Sequence, residues 1–279
     1  MASVSHPSQI DDSREERDGV SEFISHDWRF GFMEETRAEV QHMPVILKQY
    51  SIAYFPVPKV ACSSIKHLLF FLEHGRNFEK YIDSAGQKHN IHNSAYPTLN
   101  TWEDNWASAA NMHRIAVVRD PLDRFVSAYH SRVVHFKELS ATSIDSKKAA
   151  LLGLTPDPGL DEFIDNLELY RIVSGSIKHH TDPQSSFLGH TLEYFDKVYK
   201  FEDLHALESD LRERTQQPLV LPHLVKGPAG ENPSISAQRA RKIIEFYSGD
   251  YALLRGLYSP EAATSKYVNG IGELLRHLA

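Results

Sequence analysis

The chain has 279 residues, 41% hydrophobic and 24% charged, with a formal net charge of −7. Those values suit a globular protein with a sizeable core, and the acidic balance excludes a general nucleic-acid binder, so any anion must be held by local basic groups. A single cysteine, Cys62, excludes an intrachain disulfide, and no apolar run reaches the roughly 18 residues of a membrane span.

Cysteine usage favours a reducing compartment, and no signal-type apolar region opens the chain, so the expectation is a soluble, cytoplasmic protein. Met1 to Val20 is polar and charge-rich and reads as a disordered tail, with residues 21–279 forming one α/β domain. Phe23 to Phe32, with Trp28, reads as an arm packing on the domain, and Glu34 to His42 as a short helix. Ile52 to Val57 is an apolar run of strand length, punctuated by Pro56 and Pro58. Ile65, Leu68, Leu69 and Leu72 then recur at helical spacing, with Ser63 and Ser64 where an N-cap belongs. Between strand and helix lies a tight turn carrying Lys59 and the small residues Ala61, Cys62, Ser63 and Ser64. Backbone N–H groups, a helix dipole and a lysine directed at one spot make a phosphate site. On this stretch alone, an ordinary βα loop with a solvent-facing lysine is the competing interpretation.

His74 to Asn111 has no clear periodicity, although Trp102 and Trp106 at i, i+4 suggest one short helix. Loops of this length inside a domain are often functional. Arg114 to Val118 is a second buried strand, ending in Arg119-Asp120-Pro121. The following helix has Pro121 near its first position and Leu122, Phe125, Val126 and Tyr129 on one face. Lys137 to Gly159 is irregular or weakly helical, Leu160 to Arg171 an amphipathic helix, and Ser174 to Gly189 a polar stretch holding His179, His180 and Pro183. Lys197 to Phe201 reads as a third strand and Leu204 to Leu211 as a helix. A Pro/Gly loop from Pro218 to Pro233 carries Lys226, and helices are expected over Ser236 to Tyr247 and Tyr251 to Leu257. Strands alternating with helices predict a mostly parallel sheet with helices on both faces. Ligands of such sheets lie beyond the carboxyl ends of the strands, where Lys59 and Arg119 both fall.

The Lys59 turn is not a Walker A motif, whose lysine comes at the helix start after two glycines. Its sequence from Pro58 to Lys66 is P-K-V-A-C-S-S-I-K, and Arg119 to Tyr129 is R-D-P-L-D-R-F-V-S-A-Y. In the second unit an Arg fork and the Ser127 hydroxyl suit a second phosphate. Together the two units resemble the phosphosulfate-binding elements of the sulfotransferase superfamily, most closely the carbohydrate sulfotransferases of the chondroitin and HNK-1 type. There the first element typically reads P-K-V-A-C-[ST]-x-x-K and the second R-[DN]-P-[FL]-x-R-[LF]-x-S-A-Y. The resemblance runs over about Tyr54 to Leu257, with a looser likeness at Phe201-Glu202-Asp203-Leu204.

That resemblance implies a single P-loop-like α/β domain with a central mostly parallel sheet flanked by helices. It implies 3′-phosphoadenylyl sulfate (PAPS) as donor, a hydroxylated acceptor of carbohydrate type, and no metal. Carried over by position, Lys59 approaches the oxygen bridging phosphate and sulfate. Val60, Ala61, Cys62, Ser63 and Ser64 hold the 5′-phosphate, and Arg119 and Ser127 the 3′-phosphate. A base must also reach the acceptor hydroxyl, and histidine has the suitable pKa of about 6.5. His92, in the sequence H-N-I-H-N-S, is the first candidate, with His89, His113, His179 and His180 as alternatives among the 16 histidines. Lys226-Gly227 matches, more weakly, a loop over the adenine. Asp120 reads as a helix cap, Arg124 as helix surface, Phe125 and Tyr129 as core, and Cys62 as a small packing residue. His179 and His180, if on a strand, point apart and lack the partner spacing of a zinc site. An atypical ATP-dependent kinase and a non-catalytic module binding adenosine 3′,5′-bisphosphate (PAP) are the competing functions.

Overall fold

Apolar runs in this chain become strands, and the residues just after them become the turns that face the site. The structure, a computed structural model, describes residues 44–96, 108–222 and 233–268. β1 (Val45–Leu47) passes through a 3-10 segment into β2 (Ile52–Phe55), and helix α1 (Cys62–His74) follows. A hairpin of β3 (Tyr81–Ile82) and β4 (Lys88–His89) leads to a π turn over Ile91–Ala95. β5 (His113–Val118) runs into α2 (Pro121–Tyr129) and a second π turn, His130–His135. Then come α3 (Ser146–Leu151), α4 (Leu160–Asp165), α5 (Leu167–Val173), α6 (Gly175–Thr181) and α7 (Ser185–Leu188). β6 (Lys197–Lys200) precedes α8 (Leu204–Thr215), α9 (Ala237–Phe246), α10 (Ser248–Leu253) and α11 (Pro260–Tyr267).

The main sheet has four strands in the order β1-β2-β5-β6. β2, β5 and β6 are parallel, as the alternation of elements predicts, and β1 joins β2 antiparallel. Every residue of β2 and the last four of β5 are buried, which is why both read as unbroken apolar runs. The register sets Phe55 opposite Ala116 and Val118 opposite Lys200. The carboxyl ends of β2 and β5 therefore lie side by side, and the turns after them share one edge of the sheet.

Ile65, Leu68, Leu69 and Leu72 of α1 join the sheet in one hydrophobic cluster, together with Leu207 and Leu211 of α8. Burying four such side chains contributes on the order of 1.5–3 kcal/mol each. α1 ends at Gly75, whose φ of 66° and N–H bond to the Phe71 carbonyl (2.8 Å) form a left-handed cap. Its start differs from expectation. The N-cap is Ala61, in the left-handed region, and Ser63 and Ser64 lie inside the first turn. The helix begins two residues early because the preceding turn uses positive φ values rather than a side-chain cap.

A second cluster gathers Leu122, Phe125, Val126 and Tyr129 of α2 with Phe163, Tyr170, Ile243 and Tyr247. The helix expected over Leu160 to Arg171 is interrupted at Asn166 (φ −115°, ψ 24°), so that Phe163 and Tyr170 reach this cluster from two segments. The polar stretch from Ser174 to Gly189 is mostly helical, and His179 and His180 sit on α6, not on a strand. Asp120 caps α2 as expected, accepting from Leu122 N (2.9 Å) and Asp123 N (3.0 Å). The expected tail and arm, the Glu34 helix, the Trp102 and Trp106 helix, and Lys226-Gly227 lie outside the described residues. Among the described residues no helix is long and apolar enough to cross a membrane.

One buried chain of polar groups ties the second cluster to the sheet edge. Asp250, with no exposed surface, accepts from Gln184 N (2.7 Å) and Ser185 N (2.9 Å). Gln184, equally buried, then pairs its amide with the Arg119 backbone, accepting from Arg119 N (3.1 Å) and donating to Arg119 O (2.8 Å). Asp250→Ala strands two buried N–H groups, so unfolding free energy is expected to fall by about 2–4 kcal/mol in urea denaturation. A change below about 0.5 kcal/mol would show that water replaces the carboxylate at no cost.

Candidate active site

The turn after β2 is strained. Lys59 (φ 70°) and Ala61 (φ 65°) both occupy the left-handed region, at a cost of roughly 1–2 kcal/mol per residue, and Val60 between them is fully buried. Two arginines hold it. Arg119 Nη1 donates to the Lys59 carbonyl (3.2 Å), and Arg124 Nη1 to the Pro58 carbonyl (3.4 Å). Arg124 also donates to the His180 carbonyl (3.5 Å) and the Asp182 carbonyl. It has no exposed surface, which corrects its reading as helix surface: its face of α2 looks onto the turn and α6. The turn's backbone N–H groups and the start of α1 are thus fixed before any ligand arrives.

Arg119 leaves β5 at the neighbouring strand end. Its guanidinium carbon lies 4.1 Å from the centre of the Phe201 ring, and its Nε is buried with no partner. Burial lowers its pKa, with Asp123 the strongest opposing influence. Lys59 is lowered to about 8, first by burial and then by repulsion from Arg132, with Arg119 and Arg124 adding to it. Ser127 is half-buried on α2, Cys62 half-buried in the first turn of α1, and Ser64 buried.

His92 comes to this turn from the π segment. Asn90 starts that segment, its Oδ1 accepting from His92 N (2.8 Å) while Asn93 Oδ1 accepts from Asn90 N (2.7 Å). This reciprocal cap aims the His92 ring at α1, where Nε2 lies 2.7 Å from Ser63 Oγ. Burial, then the charges of Lys66 and His67, lower the His92 pKa to about 3, so the ring is neutral. Lys66 is itself buried and donates to the Tyr96 carbonyl (3.1 Å).

The other histidines separate by position. Burial is the first cause lowering His179 to about 4 and His180 to about 2, and Arg132 pushes both further. His180 Nδ1 lies 2.8 Å from the Ser176 carbonyl, and the two rings stand 4.9 Å apart at 84°. His89 is engaged by Asp83 Oδ2 (2.8 Å) and stacked on Tyr81. His113 opens β5 and sits six residues before Arg119, roughly 20 Å away along the strand.

In a chain of net charge −7, repulsion from Arg132, Arg119 and Arg124 thus reaches Lys59, and that from Lys66 and Arg132 reaches His92. The cations repel one another until an anion arrives, which suits a polyanionic ligand. Sequence reasoning missed Gln184, Asp250, Arg124 and Arg132. Among the described residues no group of three or more His, Cys, Asp or Glu side chains is placed to hold a metal ion. A family model described as sulfotransferase family matches residues 43–218, more than half of the chain. No curated protein and no solved structure matches it.

Folding depresses His92, His179 and His180 below their unfolded value of about 6.5. Their neutral forms thus stabilise the fold fully above that pH, and the contribution is lost as pH falls towards the folded values. Histidine NMR at pH 5 is expected to show three rings still neutral, with the urea midpoint falling between pH 7 and pH 5. All histidines titrating near 6.5 would contradict this electrostatic description.

Proposed function

The chain belongs to the sulfotransferase family, and we propose that it moves a sulfuryl group from PAPS to a hydroxyl of a carbohydrate or related small-molecule acceptor. The observation that carries this reading is the bond from Arg119 to the Lys59 carbonyl, which joins the turn after β2 to the end of β5 and so supports a single site for both phosphates. The orphaned Arg119 Nε and the preformed positive-φ turn support a bisphosphorylated ligand in particular.

When bound, the donor supplies a sulfuryl group joined to its 5′-phosphate through an anhydride oxygen. Lys59 then places its ammonium at that oxygen and offsets the charge developing there. The N–H groups and hydroxyls of Val60 to Ser64, at the positive end of α1, hold the 5′-phosphate. Arg119 and Ser127 hold the 3′-phosphate. His92 Nε2 takes the proton from the acceptor hydroxyl, and the negative charge of the bound donor, set against the cations that help lower its pKa to about 3 in the free protein, raises it towards the range a base needs. Without ligand that nitrogen is engaged by Ser63 Oγ. The Ser63 hydroxyl turns to a phosphate oxygen when the 5′-phosphate is seated, and this frees Nε2. The base is thus released only after the donor is in place, which favours donor binding before acceptor.

Thermal shift supplies the first test, with PAP expected to stabilise the protein and ATP with Mg²⁺ to do so much less. Selective stabilisation by ATP with Mg²⁺ would replace this reading with a kinase. With labelled PAPS and a panel of hydroxylated acceptors, Lys59→Ala is expected to lose nearly all transfer and His92→Ala at least about 100-fold. Unchanged turnover in His92→Ala would remove it as the base.

The Lys59 ammonium is charged below its pKa of about 8 in the free protein and lost above it. The kcat/KM for PAPS is therefore expected to fall as pH rises through about 8, a limb that Lys59→Arg moves out of range. A limb that survives in Lys59→Arg would belong to another group.

A further inference from the structure

Four side chains of α1, at spacings of three, four and three residues, share one face of the helix: Ser63, Lys66, Phe70 and Glu73. All four meet the segment that carries His92. Ser63 Oγ lies 2.7 Å from His92 Nε2, and Lys66 Nζ donates to the Tyr96 carbonyl (3.1 Å). The Phe70 and Tyr96 rings stand 6.3 Å apart at 75°, and the Tyr96 hydroxyl donates to Glu73 Oε2 (2.8 Å). Bonds at the start of the segment are of another kind. Asn93 donates to the Lys88 carbonyl (2.9 Å) and Ser94 to the Asn90 carbonyl (2.8 Å), which shapes the π turn and ties it to β4 rather than to α1.

On the reading above, Ser63 turns away from His92 when the donor is seated. Its contact therefore cannot hold the ring during proton transfer, and the links through Tyr96 are those that persist. Lys66 makes the buried one. It is 4% exposed, it forms no ion pair among the described residues, and burial lowers its pKa. An ammonium so placed costs more than an apolar side chain would, and its hydrogen-bond partner is the Tyr96 carbonyl.

We propose that Lys66 is a positioning residue for the sulfuryl transfer: by bonding the Tyr96 carbonyl it docks the π segment on α1 and keeps His92 Nε2 in place after Ser63 has turned away. This role rests on His92 being the base, and it needs no contact between Lys66 and either donor or acceptor.

Histidine NMR on the full chain tests the docking without turnover. The charged and titratable groups acting on His92 are Lys66 and His67 from α1, Arg132 from the second π turn and His179 from α6. Lys66→Met leaves the last three and removes both the Tyr96 bond and one repulsion. The His92 ring, neutral at pH 5 in the wild type, is then expected to titrate closer to the free value of about 6.5. Turnover of labelled PAPS separates position from basicity. In Lys66→Met kcat is expected to fall at least about tenfold, although a stronger base alone would raise it. PAP affinity by calorimetry should stay within about threefold, which also shows that the variant folds. In a His92→Ala background, Lys66→Met should cost less than about twofold more. Lys66→Gln keeps a donor short of the carbonyl and should show the same changes in smaller measure, so the outcome does not depend on Lys66→Met folding. A wild-type ring titration or an unchanged kcat in either folded variant would overturn the proposal. So would loss of PAP as in Arg119→Ala, which would make Lys66 a donor ligand, or a further loss in the His92→Ala background. A His92→Ala variant as active as the wild type, beside a shifted ring in Lys66→Met, would leave Lys66 docking the segment and remove His92 as the base instead.

Discussion

Two guanidinium groups bonded to two consecutive carbonyls, Arg119 to Lys59 and Arg124 to Pro58, are the contacts on which the site rests. The turn they hold contains two non-glycine residues at positive φ, a conformation that an unsupported chain leaves. The same contacts bring like charges together, and burial first, then repulsion from Arg132, lowers the Lys59 pKa to about 8. The unliganded site therefore stores both backbone strain and electrostatic repulsion. An anion seated among these groups relieves the repulsion without further rearrangement, which is the sense in which the site is preorganised.

What keeps the arginines in place is the buried relay behind them. Asp250 on α10 fixes the backbone at Gln184, and the Gln184 amide closes on both backbone groups of Arg119. On the other side, Tyr258 donates to the Val118 carbonyl (3.2 Å) and to Glu202 (2.5 Å), securing the end of β5 beside β6. Each of these groups is hydrogen-bonded, so the relay adds rigidity behind the site. The sheet contributes the remainder: parallel pairing of β2 with β5 sets the two turns at one height.

The strands and their following helices were legible because burial on both faces leaves unbroken apolar runs, as in Ile52–Phe55 and residues 115–118. The Lys59 turn and the Arg119 unit were legible because phosphate recognition concentrates distinctive residues in a few adjacent positions. His92 was reachable as a candidate because it lies in an irregular stretch between them, although its 2.7 Å contact with Ser63 was not. Arg124, Arg132, Gln184 and Asp250 were hidden for one reason. Their roles consist of contacts with segments distant in sequence, as with Gln184 and Asp250 (66 residues apart) or Arg124 and Pro58 (also 66), or of charge that acts through space. The N-cap was misread at Ser63 because serine is a common cap, whereas here a positive φ at Ala61 starts the helix. β1 was missed because three residues carry no periodicity.

The central claim is that one nucleotide bridges the Lys59 turn and Arg119. Isothermal calorimetry with PAP and with adenosine 5′-monophosphate, on the wild type and on Arg119→Ala, tests it most directly. The account predicts that the wild type binds PAP at least about tenfold more tightly than the monophosphate and that Arg119→Ala binds the two alike. A wild type that does not distinguish them, or a preference for PAP that survives in Arg119→Ala, would contradict it.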